Sequence, residues 1–500
     1  MCGNNALLDG PVAAPAGSQT VAAGDDSGFV PQANTTYWFA PGTHTIGSGI
    51  YSQILAANND TFIGAPGAVL SGQDVNQLAF TGSATGVTIQ YLTIEDFVPP
   101  GGQAAVNASG AIGWTIENDT IAHNGDQGTN ASNGSGLGIG SNIVVNDDCF
   151  TSNGTAGLQT LGQSLSNISV TNSEMSYNGI SLFPIDNCGC AAGMKTFKTT
   201  SALFQGNYVH DNYGAGLWVD TDNVGFTVED NDFARNYNEA LIYEISYNAL
   251  VQDNLFVDNG WGKGSHCAGC SFTYGPAIYL SNSGGDSRLS GQYPFLITAN
   301  QFTDNWDGIG AWQDPDRFGG PGDDAGDGVG TLVDPAEANY STCINPGLAT
   351  APLFSDCQWK YANVTVTGNN FSFNPAHIEN NQDPTGATIP NPLPNIDNAA
   401  CANANSVCGV NAMFSIYGSY APFSGWVIPT AVSNSNGNVW SDNCYGGPWN
   451  WWNFDQGEQL DQAQWTGGFT DTIGGSGVHV NGQDAGSTFG GTSACLGPGG

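Results

Sequence analysis

Positive charge is scarce in this chain, which has 7 lysines and arginines against 44 aspartates and glutamates and a formal net charge of −37. A field of this sign repels the phosphate backbone of nucleic acids, so we expect no nucleic-acid partner. It also opposes binding to anionic membranes. Most of the acidic side chains need no role beyond solubility, and the few cations are therefore the more informative charges.

Long apolar segments are also lacking. No run of about 18 apolar residues occurs, so the sequence predicts no membrane span. The opening residues Met-Cys-Gly-Asn-Asn carry neither the basic nor the apolar region of a signal peptide. We interpret residue 1 as the start of a mature, secreted chain, in which Cys2 is either a former lipid-anchor cysteine or a disulfide partner.

No collagen-type Gly-X-Y period accompanies the 71 glycines, so the glycine content favours a β protein dense in turns. The 12 cysteines are even in number, and some lie in close pairs such as Cys401 with Cys408. This pattern indicates loop-closing disulfides and an oxidising compartment. Zinc is the alternative, because Cys188, Cys190 and the segment 266–270 offer ligand types at suitable spacing.

A repeat runs through most of the chain. Segments such as WTIENDTIAHNG and ISVTNSEMSYNG share an alternating apolar stretch, a polar turn, an apolar residue and then an asparagine. These asparagines are Asn124, Asn153, Asn178, Asn212, Asn236, Asn259, Asn305 and Asn374. Their spacing indicates a base period of about 24 residues with loop insertions. It also predicts one further coil hidden in each of the last two gaps.

Alternating strands of this kind direct every second side chain inward. One coil cannot bury its apolar side chains alone, so successive coils must stack. At the recurrent turn, asparagine tolerates left-handed backbone angles, and stacked amides can hydrogen-bond along the stack. The sequence therefore predicts an all-β solenoid, a right-handed parallel β-helix with long loop insertions and a C-terminal aromatic-rich cap.

The repeats and the segment FIGAPGAVLSG resemble the pectate-lyase-like superfamily of right-handed β-helices, over roughly residues 35–375. Within it, the chain is most similar to bacterial right-handed parallel β-helix repeat proteins, many without an assigned reaction. The resemblance implies a polysaccharide lyase, glycoside hydrolase, uronan epimerase, pectin esterase or non-enzymatic surface protein. The polygalacturonase set NTD…DD…GHG and the epimerase motif DPHE are missing.

Three regions are predicted from composition. Residues 1–34 form an N-terminal extension or cap, residues 35–375 the β-helix domain, and residues 376–500 a C-terminal loop region and aromatic-rich cap packed on the helix. An open solenoid end exposes apolar core, so we expect Trp449, Trp451 and Trp452 to cover it. A sugar-stacking platform is the alternative role for these tryptophans.

The candidate site lies on one column of strands. Placing Leu217 and Val219 inward turns Trp218, Asp220 and Asp222 outward, and the same phase in the next coil turns Glu244 outward. Neighbouring coils are about 4.8 Å apart and alternate residues about 6.6 Å apart. Both spacings suit the two carboxyl groups of a glycosidase, so retention and inversion stay open.

Cations and aromatic residues flank this column. We assign Lys195 a catalytic role beside Asp220, Asp222 and Glu244. The predicted substrate-binding residues are Trp218, Trp312, Tyr279, Arg288 and Arg317. Aromatic faces stack on sugar rings, and the cations suit a uronate or another anionic sugar. Ordinary pairing of these cations with the abundant acids is the alternative.

Three functions follow. The leading prediction is a secreted glycoside hydrolase that acts on a polysaccharide through the Asp/Glu cluster. The second is a lyase or uronan epimerase, in which the family resemblance implies Lys195 as base and Ca²⁺ held by Asp220, Asp222 and Glu244. No cofactor is required by the first. The third is a non-catalytic surface or structural solenoid, and the sequence leaves the sugar and the oligomeric state open.

Overall fold

The computed structural model describes the greater part of the chain. The described residues are 1–126, 133–182, 191–262, 275–287, 289, 291, 294–313, 360–380, 408–415, 430–454, 459–470, 477 and 479–495. They fall into two compact units, Met1–Trp218 and Val219–Gly500, here called the N-terminal and C-terminal units. The boundary lies inside the strand Ala215–Asp220.

In the N-terminal unit the chain visits three parallel sheets in turn. The first sheet contains Gln19–Val21, Thr36–Phe39, Thr61–Gly64, Thr88–Gln90, Thr115–Glu117, Val144–Asn146, Leu165–Thr171 and Thr199–Gln205. The second contains Gly24–Asp25, Gly42–Thr45, Ala68–Ser71, Thr93–Glu95, Thr120–Ala122, Cys149–Thr151, Glu174–Ser176 and Tyr208–His210. The third contains Ile54–Leu55, Phe80–Thr81, Ala104–Asn107, Ser135–Ile139, Ala156–Thr160 and Ala192–Thr196, and Ala215–Asp220 holds the unit boundary.

The C-terminal unit has the same three sheets. Its first sheet contains Val224–Glu229, Tyr247–Gln252, Phe295–Thr298, Val364–Thr367 and Val439–Ser441. Its second contains Asp232–Ala234, Leu255–Val257, Gln301–Thr303, Asn370–Ser372, Cys444–Gly446 and Thr488–Gly490. Its third contains Leu241–Glu244, Pro276–Ser281, Asp307–Trp312, Val410–Phe414 and Asn450–Phe454, with Gln459–Leu460 added antiparallel. Parallel pairing thus continues beyond residue 375.

Among the described residues, other elements are few and short. There the α-helices are Asn5–Leu8 and Gln462–Gly467, the 3₁₀ turns are Ile180–Leu182 and Pro375–Asn380, and a π-helical turn spans Ala431–Ser435. Phe469–Thr470 and His479–Val480 form a small antiparallel pair. None of the helices in the described ranges has the length and apolar character needed to cross a membrane.

Inward side chains form files along each unit, because aligned positions of stacked coils carry similar apolar residues. In the C-terminal unit one such file is aromatic, with neighbouring ring centroids 4.5–5.2 Å apart. Its members are Phe233, Phe256, Phe302, Phe371, Tyr445 and Phe489. Continuous burial of this kind is what holds a stack of short strands together.

This file also corrects one prediction. Leu255–Val257 pairs directly with Gln301–Thr303, and the latter pairs directly with Asn370–Ser372. No coil is therefore hidden in the last two gaps between the repeat asparagines. The additional residues belong to the connections around the third sheet.

The repeat asparagines form ladders, as the sequence predicts. Asn153 Nδ2 donates to Asn178 Oδ1 at 3.0 Å, and Asn259 Nδ2 donates to Asn305 Oδ1 at 2.9 Å. The left-handed residue is the one before each asparagine, such as Ser152 with φ of 56°, rather than the asparagine itself. Asn374 leaves this pattern and bonds His377 instead.

Each of the two units contains a disulfide. Cys2 pairs with Cys149 and Cys444 pairs with Cys495, and Cys408 is also disulfide-bonded. Within the described residues no cysteine is free, which supports disulfides over zinc for these five. The predicted zinc candidates at 188, 190, 267 and 270 lie outside the described residues.

Candidate functional site

The connections that enter or leave the third sheet contain most of the inserted sequence. In the C-terminal unit the longest stretches between described strands are 313–363, 373–409 and 415–438, and each enters or leaves this sheet. By contrast, only Gly206 and Asn207 separate a strand of the first sheet from the next strand of the second. Binding and catalytic residues concentrate where loops surround a rigid scaffold, so the outer face of the third sheet is the first place to look.

Backbone hydrogen bonds set the alignment of the predicted acids. Thr221 N donates to Glu244 O at 3.0 Å, and Asp222 N donates to Ile245 O at 2.9 Å. In a parallel ladder these bonds place Asp220 directly beside Glu244 on the neighbouring strand, about 4.8 Å away at the backbone. The structure therefore places Asp220 and Glu244 side by side at the backbone, on neighbouring strands of the third sheet.

The alternation of side chains along a strand gives both acids an outward direction. Leu241 and Tyr243 are 0% exposed and take the inner positions of their strand. Ile242 and Glu244, on the opposite side, are still only 4% and 7% exposed, so the outer face is itself sheltered. Asp220 is half-buried, and its Oδ1 accepts a 2.7 Å hydrogen bond from Thr221 Oγ1.

Asp222 does not join this pair as the sequence predicts. The strand ends at Asp220, and Thr221 and Asp222 follow in left-handed conformations with φ of 42° and 60°. A residue in such a turn no longer follows the period-2 alternation of the strand. The prediction that Asp222 is the next outward residue of the strand is therefore wrong.

Calcium binding by the three acids also finds no support in the geometry. Among the residues that the structure describes, no group of three or more histidine, cysteine, aspartate or glutamate side chains is gathered closely enough to hold a metal ion. Asp220, Asp222 and Glu244 are thus not assembled as a ligand set.

A hydrogen-bonded ladder fixes the strand ends beneath the two acids. Asn223 Nδ2 donates to Asp220 O at 2.5 Å and to Ser246 Oγ at 3.2 Å. Ser246 Oγ donates to Glu244 O at 2.8 Å, and one coil further Ser283 Oγ donates to Tyr243 O at 2.9 Å. These buried polar groups hold the backbone of both acids in place. Sequence reasoning missed them, although Asn223, Ser246 and Ser283 each follow the strand end at similar distances.

Aromatic side chains continue the same face. Trp312 Nε1 donates to Tyr279 OH, and their ring centroids are 6.3 Å apart. Tyr279 and Trp312 are both half-buried. On the side of Trp312 away from Tyr279, the ring centroids of Trp312 and Phe414 are 6.2 Å apart. Trp312 also packs against a buried cluster that includes Phe414 and Trp452. Register places Glu244 and Trp312 in one row, with Ser281 between them.

The C-terminal tryptophans have different surroundings. Trp451 is 2% exposed and packs against Tyr445 and Trp465, with centroids 5.4 and 6.2 Å away. Trp452 belongs instead to the cluster with Phe414 on the outer face. The indole of Trp451 therefore packs in the core, and the indole of Trp452 borders the candidate site.

Lys195 and Trp218 meet within the N-terminal unit. Lys195 Nζ lies 3.3 Å from the centroid of the Trp218 ring and 5.0 Å from that of Phe197. Lys195 is 6% exposed and aligns with Gln159 on the neighbouring strand. An aromatic face attracts a cation, so the indole of Trp218 is a suitable partner for the side chain of Lys195. Arg288 and Arg317 lie outside the described residues.

A second pair of acids lies at the corner that follows the second sheet of the C-terminal unit. Burial and the neighbouring charge of Asp304 raise the pKa of Asp258 to about 6, against the opposing effect of Arg235 and His377. Asp304 accepts a 2.7 Å hydrogen bond from Asn374 N and pairs with His377 Nδ1. This pair is the competitor that any test of Asp220 and Glu244 must include.

His210 is held too firmly to act as a base. Its Nδ1 lies 2.6 Å from Asp211 Oδ2 and its Nε2 lies 3.1 Å from Glu174 Oε1. Burial lowers the pKa of His210, but these two carboxylates outweigh it and raise the pKa overall. With both ring nitrogens engaged by carboxylates, His210 is a structural cation that ties two coils together.

Taken together, stacked coils, parallel register and an outer face flanked by insertions define a right-handed parallel β-helix. Residues 102–291 match the family model for a right handed beta helix region. A search of curated proteins finds no match.

Several solved structures are similar in fold. The A-module of the mannuronan C-5 epimerase AlgE6 of Azotobacter vinelandii is 13% identical, with 60% of this chain and 79% of that chain covered and a TM-score of 0.39. PfbA, a surface adhesin of Streptococcus pneumoniae, is 11% identical, with 55% and 80% covered and a TM-score of 0.34. The catalytic domain of a GH87 α-1,3-glucanase is 13% identical, with 61% and 65% covered and a TM-score of 0.33. Similarity at this level carries no argument about the reaction.

Proposed function

We propose that the chain is a secreted, polysaccharide-active enzyme, a glycoside hydrolase in which Asp220 and Glu244 are the catalytic acids. The observation that carries the proposal is their alignment on neighbouring strands of a sheltered outer face. Glycoside hydrolysis needs two carboxyl groups, one to protonate the leaving oxygen and one to activate water or to attack the sugar. The disulfides support an oxidising, extracellular setting.

The aromatic residues supply the binding half of the proposal. Tyr279 and Trp312 offer half-buried rings next to the acids, and a sugar ring stacks its apolar face on such surfaces while its hydroxyl groups find polar partners. Phe414 and Trp452 are buried behind Trp312 and keep its indole in position. The substrate would then contact the carboxyl groups and the aromatic rings at once.

The ladder of Asn223 and Ser246 completes the arrangement. Catalytic groups must be held to within a fraction of an ångström, and backbone atoms beside both acids are hydrogen-bonded to buried side chains. A lyase or epimerase with Lys195 as base is less well supported, because Lys195 is buried and its Nζ lies against the ring of Trp218.

The test is an activity screen over neutral and anionic polysaccharides that records both reducing ends and the ultraviolet absorbance of unsaturated products. We expect reducing ends without that absorbance. The variants D220N and E244Q should lower the rate by about 100-fold or more, the usual contribution of an acid–base group. The matched control is D253N, which changes an exposed acid of the same unit that already has a left-handed backbone.

Three outcomes would overturn the proposal. If D258N abolishes activity and D220N and E244Q do not, the catalytic pair is the one at the second-sheet corner. Unsaturated products would instead establish a lyase. If no polysaccharide in the screen is cleaved while the protein binds one of them, the chain is a binding or surface solenoid.

A further inference from the structure

Two buried aspartates occupy ladder positions that carry asparagine elsewhere. A second ladder runs five residues before the repeat asparagines, and in the C-terminal unit its members are Asn231, Asn254, Asn300, Asn369 and Asn443. In the N-terminal unit the equivalent members are Asp119, Asp148, Ser173 and Asn207. Asp119 and Asp148 are both 0% exposed.

Backbone groups supply the hydrogen bonds to these two carboxyl groups. Asp119 N donates to Asp148 Oδ1 at 2.7 Å, and Leu92 N donates to Asp119 Oδ1 at 2.7 Å. Asn146 N donates to Asp148 Oδ2 at 3.1 Å, and Asp148 N donates to Ser173 Oγ at 3.1 Å. Asp119 Oδ2 is buried and has no partner in good hydrogen-bond geometry, although the backbone of Glu117 is near enough to lower the pKa of Asp119.

The charges that face this pair are all negative. Glu117 acts on Asp119, and Asp147 and Asp119 act on Asp148. No ion pair in the described part of the chain joins either aspartate to a cation. Burial raises the pKa of both groups well above the ordinary value of 3.8, and the like charges add to this effect against the lowering by the backbone hydrogen bonds.

We propose that the folded N-terminal unit carries a proton on the Asp119–Asp148 pair, and that this pair contributes stability in acid that is lost as the pH rises. Two adjacent carboxylates, one coil apart in an apolar interior, would repel each other with no compensating charge. A proton on one of them removes that repulsion. It also turns Oδ2 of Asp119 into a group that can donate.

A buried aspartate elsewhere in the chain shows the contrast. Asp484 is 2% exposed in the C-terminal unit, yet its carboxyl group accepts from Asn443 Nδ2, Ser487 Oγ, Tyr445 OH and Trp465 Nε1 at 2.5–2.8 Å. Four side-chain donors satisfy a carboxylate without a proton. Among the described residues no side-chain donor of this kind reaches Asp119 or Asp148, and the nearby hydroxyl of Ser173 accepts from Asp148 N and donates to Thr171 O.

The sign of the pH effect follows from proton binding. The folded unit holds a proton that an unfolded chain releases above the ordinary pKa of aspartate, so the unfolded state binds fewer protons over that range. The stability that this pair contributes is therefore fully present below about pH 4 and is lost as the pH rises toward the raised folded pKa. The opposite dependence would hold for an acid that is ionised in the folded state.

The experiment compares the wild-type protein with D119N, D148N and the double variant. Asparagine fits the ladder, since Asn300 Nδ2 donates both to Asn369 Oδ1 and to Thr298 O at 2.9 Å. We expect each variant to raise the Tm at about pH 8 by about 2 °C or more, and the double variant to flatten the decline of Tm between about pH 4 and pH 8. The control is D230N, an exposed acid just before a ladder asparagine.

Infrared spectroscopy provides a readout that does not depend on variant stability. At neutral pH the exposed acids are ionised, so a carbonyl band of a protonated carboxylic acid in the wild-type protein reports a buried one. We expect this band to weaken in D119N and D148N and to persist in D230N. Absence of the band in the wild type would overturn the proposal, as would variants whose Tm follows the wild-type pH profile unchanged. If a variant fails to fold, the wild-type spectrum alone decides.

Discussion

At the scale of single residues, buried polar groups in this chain are tolerated only where each has partners of the right kind. Asp484 joins the last part of the chain to the coil stack through four side-chain donors. Burial, followed by the charge of Asp484 and its hydrogen bond to the phenol, raises the pKa of Tyr445 well above its ordinary value, so its O–H stays a donor. Removing the shared acceptor leaves several buried donors unsatisfied at once.

We therefore expect D484A to lower the free energy of unfolding by about 3 kcal/mol or more, since each orphaned buried donor costs about 1–3 kcal/mol. Denaturant titration followed by circular dichroism measures this change. The neighbouring exposed acid Asp442 gives the control D442N, which should shift the midpoint little. A loss for D484A no larger than that of D442N would show that the four hydrogen bonds contribute nothing net.

At the scale of strands and ladders, register is what connects the fold to the site. Asn254 illustrates how register is kept: its Nδ2 donates to Val228 O and Asn300 Oδ1 at 2.9 Å, and its Oδ1 accepts from Asn231 Nδ2 at 2.9 Å. Each ladder amide thus forms hydrogen bonds with the coil before it and with the coil after it. A slip of one residue would turn every outward side chain inward.

The substitution N254A should lower the free energy of unfolding by about 3 kcal/mol, because it removes the bonds to both neighbouring coils and leaves buried groups unpaired. The exposed Asn481 provides the comparison N481A, for which we expect a change within about 0.5 kcal/mol. Equal effects of the two substitutions in a thermal or denaturant melt would contradict a structural role for the ladder.

The repeat was sufficient to predict the coils, because period-2 alternation and a recurrent asparagine are local signals that every coil repeats. It failed where a turn interrupts the alternation, as at Asp222 after the strand end at Asp220. It also missed the second ladder, although Asp119 and Asp148 lie five residues before Asn124 and Asn153. In the sequence alone, aspartate at a ladder position that carries asparagine in other coils looks like a neutral exchange of one polar residue for another. Only the burial seen in the structure shows that an ionised aspartate would be unfavourable there.

At the scale of the whole molecule, charge opposes folding. With a net charge of −37 over 500 residues, the compact state concentrates negative charge that the unfolded chain spreads out. The repulsion between exposed charges falls off over a Debye length of about 8–10 Å near physiological ionic strength, which is comparable to the distance across two coils. Salt should therefore stabilise the protein without any specific binding site.

We expect the Tm to rise by several degrees between about 0.01 M and about 0.3 M sodium chloride, as self-repulsion is screened. Calorimetry at each salt concentration measures the shift. Calcium chloride at matched ionic strength is the comparison that separates screening from a calcium site. A much larger rise with calcium would point to specific cation binding, and a Tm independent of salt would contradict the electrostatic argument.

The second ladder of the C-terminal unit also has a direction. From Asn231 through Asn443, each Nδ2 donates to the next member in chain order, and the last donates to Asp484 Oδ1 at 2.8 Å. The amide dipoles therefore add along the stack, with the positive end toward the last coil. Asp484 places a carboxyl group at that end, as an acidic side chain does at the N-terminus of an α-helix. Asp484 accepts the last hydrogen bond of the ladder and does not donate a further one. The positive end of the aligned amide dipoles therefore faces an acidic side chain.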